Sequence, residues 1–442
     1  MTRVLLVTVG GSPEPIIQAV EEHQPEELIF ICSAPPCAAP SLDQVIGAGS
    51  PCRYVSSDGI EVRRPNLVTQ LEILHFDPEL QVLELPDPDD LVACHRSIAA
   101  FCQALRERFS ALELIGDYSG GTKTMSAALA MVLLEEKARI SLVHGNRRNL
   151  VRIERSEGVR TAEVGPIRAR QLLSNQLPPL LECHLYDQAA LHLGDFRQLY
   201  LDSLDAQTLE WIHELQCCLA VLMHWDSFEW RQSLGVASST ALPEVFPEML
   251  AWWQRVHKAH HWLVEQQPQT DVTGYELVQD LLLNAERRGR RGWFDDAVAR
   301  LYRALELLAQ TYIQLECGYD HQTFWTHPDI LRDKREWNVR SGVGGLYWWL
   351  KQREGGAGLG GAASRQWFVL QELLDARNHS LLGHGLTPVN QGHWQELQDR
   401  ISNLVMTALR ELGCQQGPPP QQLPGRALLD LPAAQHLLGV TR

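Results

Sequence analysis

The spacing of hydrophobic positions changes part-way along this chain. As far as about residue 165 they come in short continuous runs, separated by Pro and Gly and alternating with amphipathic stretches. VLLVTV (4–9), ELIFICS (27–33), CRYVSS (52–57), QVLELP (81–86), ALELIGDYS (111–119) and RISLVHG (139–145) read as strands. SPEPIIQAVEEH (12–23), with Ser12 as its cap and prolines in its first turn, residues 89–109 and residues 122–137 read as helices. Strands alternating with helices of this length predict an α/β domain over 1–165, with a parallel sheet covered on both faces. Ligands of such sheets bind where the strands end and the loops gather.

Beyond residue 165 the period becomes helical. PIRARQLLSNQ, LYDQAALHLGDFRQLYLDSL, LEWIHELQCCLAVLMHWDSF and VFPEMLAWWQRVHKAHHWLVEQQ fill 166–270 and predict a helical linking domain. A further helical domain is expected over 271–412, where Val298, Leu301, Leu305, Leu308 and Tyr312 recur at the packing period. The glycine-rich GGAGLGG (355–361) reads as a mobile break, and the helix after it offers Phe368, Leu370, Leu373 and Leu374 as a core face. GCQQGPPPQQLPG (413–425) opens a Pro/Gln-rich linker and tail to residue 442. All thirteen tryptophans lie at or after Trp211, which supports two architectures in one chain.

Two strand-end loops carry candidate chemistry. TVGGSP leaves the first strand through Gly10, Gly11 and Ser12; DYSGGTKT leaves a later one through Ser119, Gly120, Gly121, Thr122 and Lys123. Adjacent glycines serve either a tight turn or the close approach of backbone to a ligand, and a helix start offers free N–H groups to an anion. Gly116 and Gly121 have the separation of a nucleotide-hydrolysing P-loop, but Thr122 intervenes before Lys123. Anion binding without triphosphate hydrolysis is the expectation. The basic run HGNRR (144–148) lies at a predicted strand end and is either a third contact or a surface turn.

Composition narrows the classes. A formal charge of -15 and a pI near 5.6 exclude a protein that coats nucleic acid by net charge, so any such contact needs a local basic patch. ERRGRRG (286–292) offers one, reading either as a solvated turn or as an RNA-contacting surface. No apolar run approaches the roughly 20 residues that span a bilayer, and a cytoplasmic protein is expected. The ten cysteines are scattered without a C-x-x-C pair and read as reduced structural thiols. His257, His260 and His261 have helical spacing, but Lys258 among them favours a solvated or packed face over a metal site.

The last helix breaks into polarity at Arg377, Asn378, His379 and His384. An unbroken helix would place the backbones of Arg377 and His384 about 10 Å apart. Gly383 offers a helix stop that turns His384 back. An imidazole that moves protons and a guanidinium that steadies phosphate charge suit metal-free RNA cleavage, with the RNA 2′-hydroxyl as nucleophile. A surface Arg–His pair is the plainer alternative.

TVGGSP, DYSGGTKTM and RNHSLLGH behind the DDAVARLYRALE helix together resemble the CRISPR-associated ribonucleases, which join a Rossmann-like sensor domain (CARF) to a C-terminal HEPN nuclease domain. The likeness covers both ends of the chain, with Arg377 to His384 fitting the longest form of the HEPN pattern Arg, four to six residues, His. The resemblance implies a homodimer without metal cofactor, activated by cyclic tetra- or hexa-adenylate in type III CRISPR antiviral defence. It implies that Gly10, Gly11, Ser12, Ser119, Gly120, Gly121, Thr122 and Lys123 line the ring pocket. It further implies that Arg377, Asn378 and His384, helped by His379, cut single-stranded RNA to 2′,3′-cyclic phosphate products. A ligand-sensing transcriptional regulator would show a compact helix-turn-helix instead, a nucleotide hydrolase would need magnesium, and a HEPN protein without catalysis would act by binding alone.

Overall fold

A computed structural model describes residues 1–37, 39–55, 60–85, 87–148, 152–162, 164–414 and 417–439. The chain divides into two compact units, Met1–Arg168 and Ala169–Arg442.

The first unit is built on a six-stranded sheet of order β5-β2-β1-β6-β7-β8. β1 (Thr2–Thr8), β2 (Glu27–Ser33), β5 (Val82–Leu85), β6 (Leu112–Asp117) and the start of β7 (Arg139–Arg148) run parallel. Both faces of β1 are covered: Leu5 and Val7 join a cluster with Ile16, Ala19, Phe30 and Ile115, while Val4 and Leu6 are buried on the other side. That double burial explains the unbroken apolar runs of the central strands. The helix Lys123–Glu135 packs so closely on β6 that a Cβ at Gly116 would meet the methyls of Leu133.

Three expectations for this unit need correcting. Cys52–Val55 (β3) lies outside the main sheet, paired antiparallel with Glu61–Arg64 (β4), which is exposed and charged and so cannot enter a sheet buried on both faces. The helix Glu14–His23 is preceded by Pro13 without a side-chain cap, so Ser12 does not cap it. Arg152–Ala162 (β8), absent from the sequence reading, pairs antiparallel with β7 at the sheet edge. HGNRR (144–148) forms the last five residues of β7, at the strand end as expected but paired with β8 rather than in a turn; its side chains from residue 145 lie outside the described residues.

The second unit is helical. Phe294–Leu315 forms its axis, burying Val298, Leu301, Leu305 and Leu308 against Glu276–Arg290, Val343–Glu354, Trp367–His379 and Gln391–Glu411. The glycine run is no mobile break: Gly358–Arg365 is a helix, and a Cβ at Gly360 would strike the backbone of Leu350, so these glycines permit close packing on Val343–Glu354. Phe368, expected in the core, is 73% exposed.

The arginines of 286–292 do not form a solvated turn as a group: the side chains of Arg287, Arg288 and Arg291 are largely buried, and Arg290 alone stays half-exposed, beside Glu286. Arg287, Arg288 and Arg290 occupy the last turn of Glu276–Arg290, and Arg287, Arg288 and Arg291 converge on the buried carboxylate of Asp226 at 2.7, 3.2 and 2.6 Å. Burial alone would raise the Asp226 pKa, but the three guanidiniums outweigh it and hold it below the usual range. The tail joins the same cluster, because Gln422 Oε1 accepts from Arg287 at 2.5 Å and the Tyr186 hydroxyl donates to the Pro424 carbonyl at 3.0 Å. Further on, His436 in Pro432–Leu438 stacks on Trp211 at 4.5 Å. His260 of the histidine trio packs against Trp230 at 5.0 Å, and among the described residues no three His, Cys, Asp or Glu side chains converge as a metal site requires. All ten cysteines are free thiols. Among the described residues no helix is long and apolar enough to cross a membrane.

Candidate functional site

The two glycine loops meet. β1 and β6 are parallel neighbours, and the chain leaves β1 toward β2 on one side but β6 toward β7 on the other, a change of direction at which ligands of such sheets bind. Thr8 Oγ1 donates to the Gly120 carbonyl at 2.8 Å, and Ser126 Oγ donates to the same oxygen at 2.7 Å. A Cβ at Gly10 would come within 2.5 Å of the Gly121 amide nitrogen, and one at Gly120 would collide with the Thr8 carbonyl. Gly121 has φ +77°, a conformation that favours glycine. These glycines are therefore required by loop-on-loop contact, whatever the loops bind.

A buried polar relay adjoins the DYSGGTKT loop. The Asp117 carboxylate accepts the Ser119 N–H at 2.9 Å and the Ser141 hydroxyl at 3.0 Å, and Ser141 Oγ lies 2.8 Å from His23 Nε2. Burial raises the Asp117 pKa and lowers that of His23, and neighbouring Arg139 also lowers the latter. Two hydroxyls expected to reach a ligand are engaged within the protein. Ser119 Oγ accepts the Val143 N–H at 2.6 Å; Thr122 caps its helix by accepting the Met125 N–H at 3.1 Å and donates to the Pro88 carbonyl at 2.7 Å. Gly11 and Lys123 are exposed, Ser12 is half-buried, and Lys123 stands at the first turn of Lys123–Glu135 with no side-chain partner among the described residues. The amides at that helix start point where an anion would be favoured.

In the second unit, Arg377, Asn378 and His379 form the last turn of Trp367–His379. The helix stops at Ser380, before Gly383, and the chain folds back: His384 N–H donates to the Asn378 carbonyl at 3.1 Å and Thr387 N–H to the His379 carbonyl at 3.1 Å. A Cβ at Gly383 would run into the Arg377 carbonyl, and one at Gly385 into that of His379. The backbone of His384 thus returns to the turn that carries Arg377, although the stop that turns it is Ser380 rather than Gly383. The Arg377 guanidinium lies 4.9 Å over the ring of Tyr302 and donates to Asn378 Oδ1 at 3.2 Å. Burial raises the Tyr302 pKa; Glu306 adds to this and Arg377 opposes it. His384 is exposed. His379 Nδ1 lies 2.7 Å from the Asp375 carbonyl, on a different side of the helix, where it lines a groove of about 410 Å³ with Phe368, Gln371, Asp375 and His393.

Sequence reasoning passed over Tyr302, which lies one position from the core residue Leu301, and Asp295, whose partners are backbone amides. The Asp295 carboxylate accepts the Leu381 N–H at 3.2 Å and the Val389 N–H at 3.1 Å.

Residues 269–408 match the family model described as the Csm6 HEPN domain. This segment is thus similar in sequence to the HEPN domain of Csm6. Arg377, Asn378, His379 and His384 all fall within it, as do Asp295 and Tyr302. Enterococcus italicus Csm6 bound to cyclic hexa-2′-fluoro-hexa-dAMP shares the fold, with a TM-score of 0.55 over the whole of both chains at 11% identity. No curated protein matches the chain in sequence. The resemblance to CRISPR-associated CARF–HEPN ribonucleases thus holds in sequence over the HEPN segment and in fold along the chain.

Proposed function

We propose that this protein is a CRISPR-associated endoribonuclease that cleaves single-stranded RNA without a metal ion and is switched on by a cyclic oligoadenylate. The observation that carries the reading is the return of His384 to the last turn of the Arg377 helix inside a Csm6 HEPN segment. Arg377 would hold the scissile phosphate and neutralise charge growing on its oxygens, while Asn378 orients the strand and His379 assists. His384 would move the protons: the RNA 2′-hydroxyl gives up its proton as its oxygen attacks phosphorus, the P–O5′ bond breaks, and the departing 5′-oxygen takes up a proton. The products are a 2′,3′-cyclic phosphate and a 5′-hydroxyl. Phe368, Leu381, Leu382 and Leu386 are exposed around the site, an apolar face suited to a second copy of the chain.

The activator would lie over the β1 and β6 ends. Gly10, Gly11, Gly120 and Gly121 offer close backbone approach, and Ser12 and Lys123 offer a hydroxyl and a charge to the ring phosphates. Ser119 and Thr122 would act by holding the loop in shape. That Enterococcus italicus Csm6 binds a fluorinated cyclic hexa-dAMP supports a ligand of this class. Residues 1–165 would be the sensor, 166–270 the linking helices, 271–412 the nuclease, and 413–442 a tail. Any bias that the ring imposes on the nuclease cannot exceed its preference for the competent state.

The deciding experiment incubates the protein with labelled single-stranded RNA in EDTA, with and without cyclic tetra- or hexa-adenylate. Ring-dependent cleavage, abolished in Arg377→Ala and His384→Ala, is expected. Cleavage that ignores every ring would remove the sensor assignment, and no cleavage at all would remove the nuclease.

A further inference from the structure

The loop that carries His384 is held from outside its own helix. Between Ser380 and Val389 several backbone donors turn back onto the end of Trp367–His379 or its cap: Gly383 and Gly385 N–H donate to the Ser380 carbonyl, His384 N–H to Asn378 and Thr387 N–H to His379. Leu381 and Val389, the two ends of the excursion, instead donate to Asp295, one to each carboxylate oxygen, at 3.2 and 3.1 Å. Asp295 stands in the first turn of Phe294–Leu315, and seven residues further along that helix Tyr302 lies under the Arg377 guanidinium at 4.9 Å. Two helical turns separate these contacts on one face, so a single rigid element touches both halves of the candidate site.

We propose that Asp295 is a positioning residue for RNA cleavage, clamping both ends of the 381–389 loop so that His384 is presented at a fixed place relative to Arg377. The inference rests on the ribonuclease reading above. Asp295 touches neither substrate nor reacting atoms; it acts through two amide hydrogen bonds. A carboxylate suits the task because both of its oxygens accept, and hydrogen bonds to a charged acceptor are stronger than neutral ones. Asn at this position would keep one acceptor and present an N–H₂ to the other amide, releasing one end of the loop while preserving size and shape. Tyr302 complements the clamp by fixing the guanidinium through its ring face.

The test compares wild type, Asp295→Asn and Asp295→Glu in steady-state cleavage of single-stranded RNA with cyclic hexa-adenylate, together with amide hydrogen exchange and thermal unfolding. For Asp295→Asn the expected result is a fall in kcat of roughly ten- to a hundredfold, since a small misplacement of a catalytic group costs that much. KM should stay within about twofold, because loss confined to the transition state leaves ground-state binding intact. Faster exchange should be confined to 381–389, with an unfolding temperature close to that of wild type. Asp295→Glu keeps both acceptors and should recover part of the lost kcat. Added to His384→Ala, Asp295→Asn should cause no further loss, because the clamp acts only through the residue already removed. Wild-type kcat in Asp295→Asn overturns the proposal, and so does a loss accompanied by faster exchange throughout the helical unit, which marks a general fold defect. A wild-type protein that cuts no RNA under any ring overturns the ribonuclease reading and this inference with it, whereas a cleaving wild type with an unaffected Asp295→Asn overturns the clamp alone.

Discussion

The Asp226 carboxylate lies 2.7 Å from the Nε of Arg287, and the Arg287 side chain has no exposed surface at all. Arg288 and Arg291 reach the same carboxylate, so one acid answers three guanidiniums in the interior of the helical unit. Removing the acid strands positive charge away from water. Asp226→Ala should therefore destabilise this unit by about 3–5 kcal/mol. Urea titration read by tryptophan fluorescence measures it, and a loss below about 1 kcal/mol would mean that water or another acid already serves these arginines.

Acid should act on the same region through His184. Burial, helped by Arg287, Arg290 and Arg291, lowers its pKa from 6.5 to about 3. The folded unit thus keeps the ring neutral down to about pH 3, whereas the unfolded chain takes up a proton near 6.5. Stability should fall as pH drops between those values, with a slope from this one group of at most about 1.4 kcal/mol per pH unit. His184→Gln should flatten that part of the curve, and unfolding midpoints across this range provide the check.

At the proposed sensor loops, Lys123→Ala removes an exposed charge from a helix start and should weaken ring binding about tenfold, most strongly at low salt. Gly10→Ala should weaken it further, because the added methyl displaces Gly121. Calorimetry with cyclic hexa-adenylate distinguishes the two: the first loss fades as salt rises and the second does not.

Gly383→Ala tests the fold-back that returns His384. Its methyl would press on the Arg377 carbonyl, so cleavage should fall by roughly a hundredfold, approaching the loss expected for His384→Ala. Ring affinity measured by calorimetry should not change. Intact cleavage in Gly383→Ala would mean that the turn carrying His384 is not part of the nuclease.

The strands of the first unit were legible because β1, β2 and β6 are buried on both faces and so carry continuous apolar runs. β8 was not, since an edge strand can alternate charges that resemble a loop. The arginine run misled for a related reason: its counter-charge, Asp226, lies 61 positions before Arg287, and nothing local marks the pair. GGAGLGG looked like a break, although close helix packing also demands glycine. At the candidate nuclease site, Arg377 and His384 could be read from residue type and order. Asp295 could not, because it recognises backbone amides 86 and 94 positions away, and an amide leaves no trace in the sequence.

The interlock of Gly10 with Gly121 bears on how such proteins diverge. The backbone amide of Gly121 fills the volume that a side chain at Gly10 would occupy, and that amide stays whatever residue carries it, so no change at 121 makes room and side chains at Gly10 should be selected against. Gly11, with nothing within 4 Å of a Cβ built there, is under no such restraint. On the proposed sensor role, lineages that come to read a different messenger should carry their innovations at Gly11 and leave Gly10 untouched.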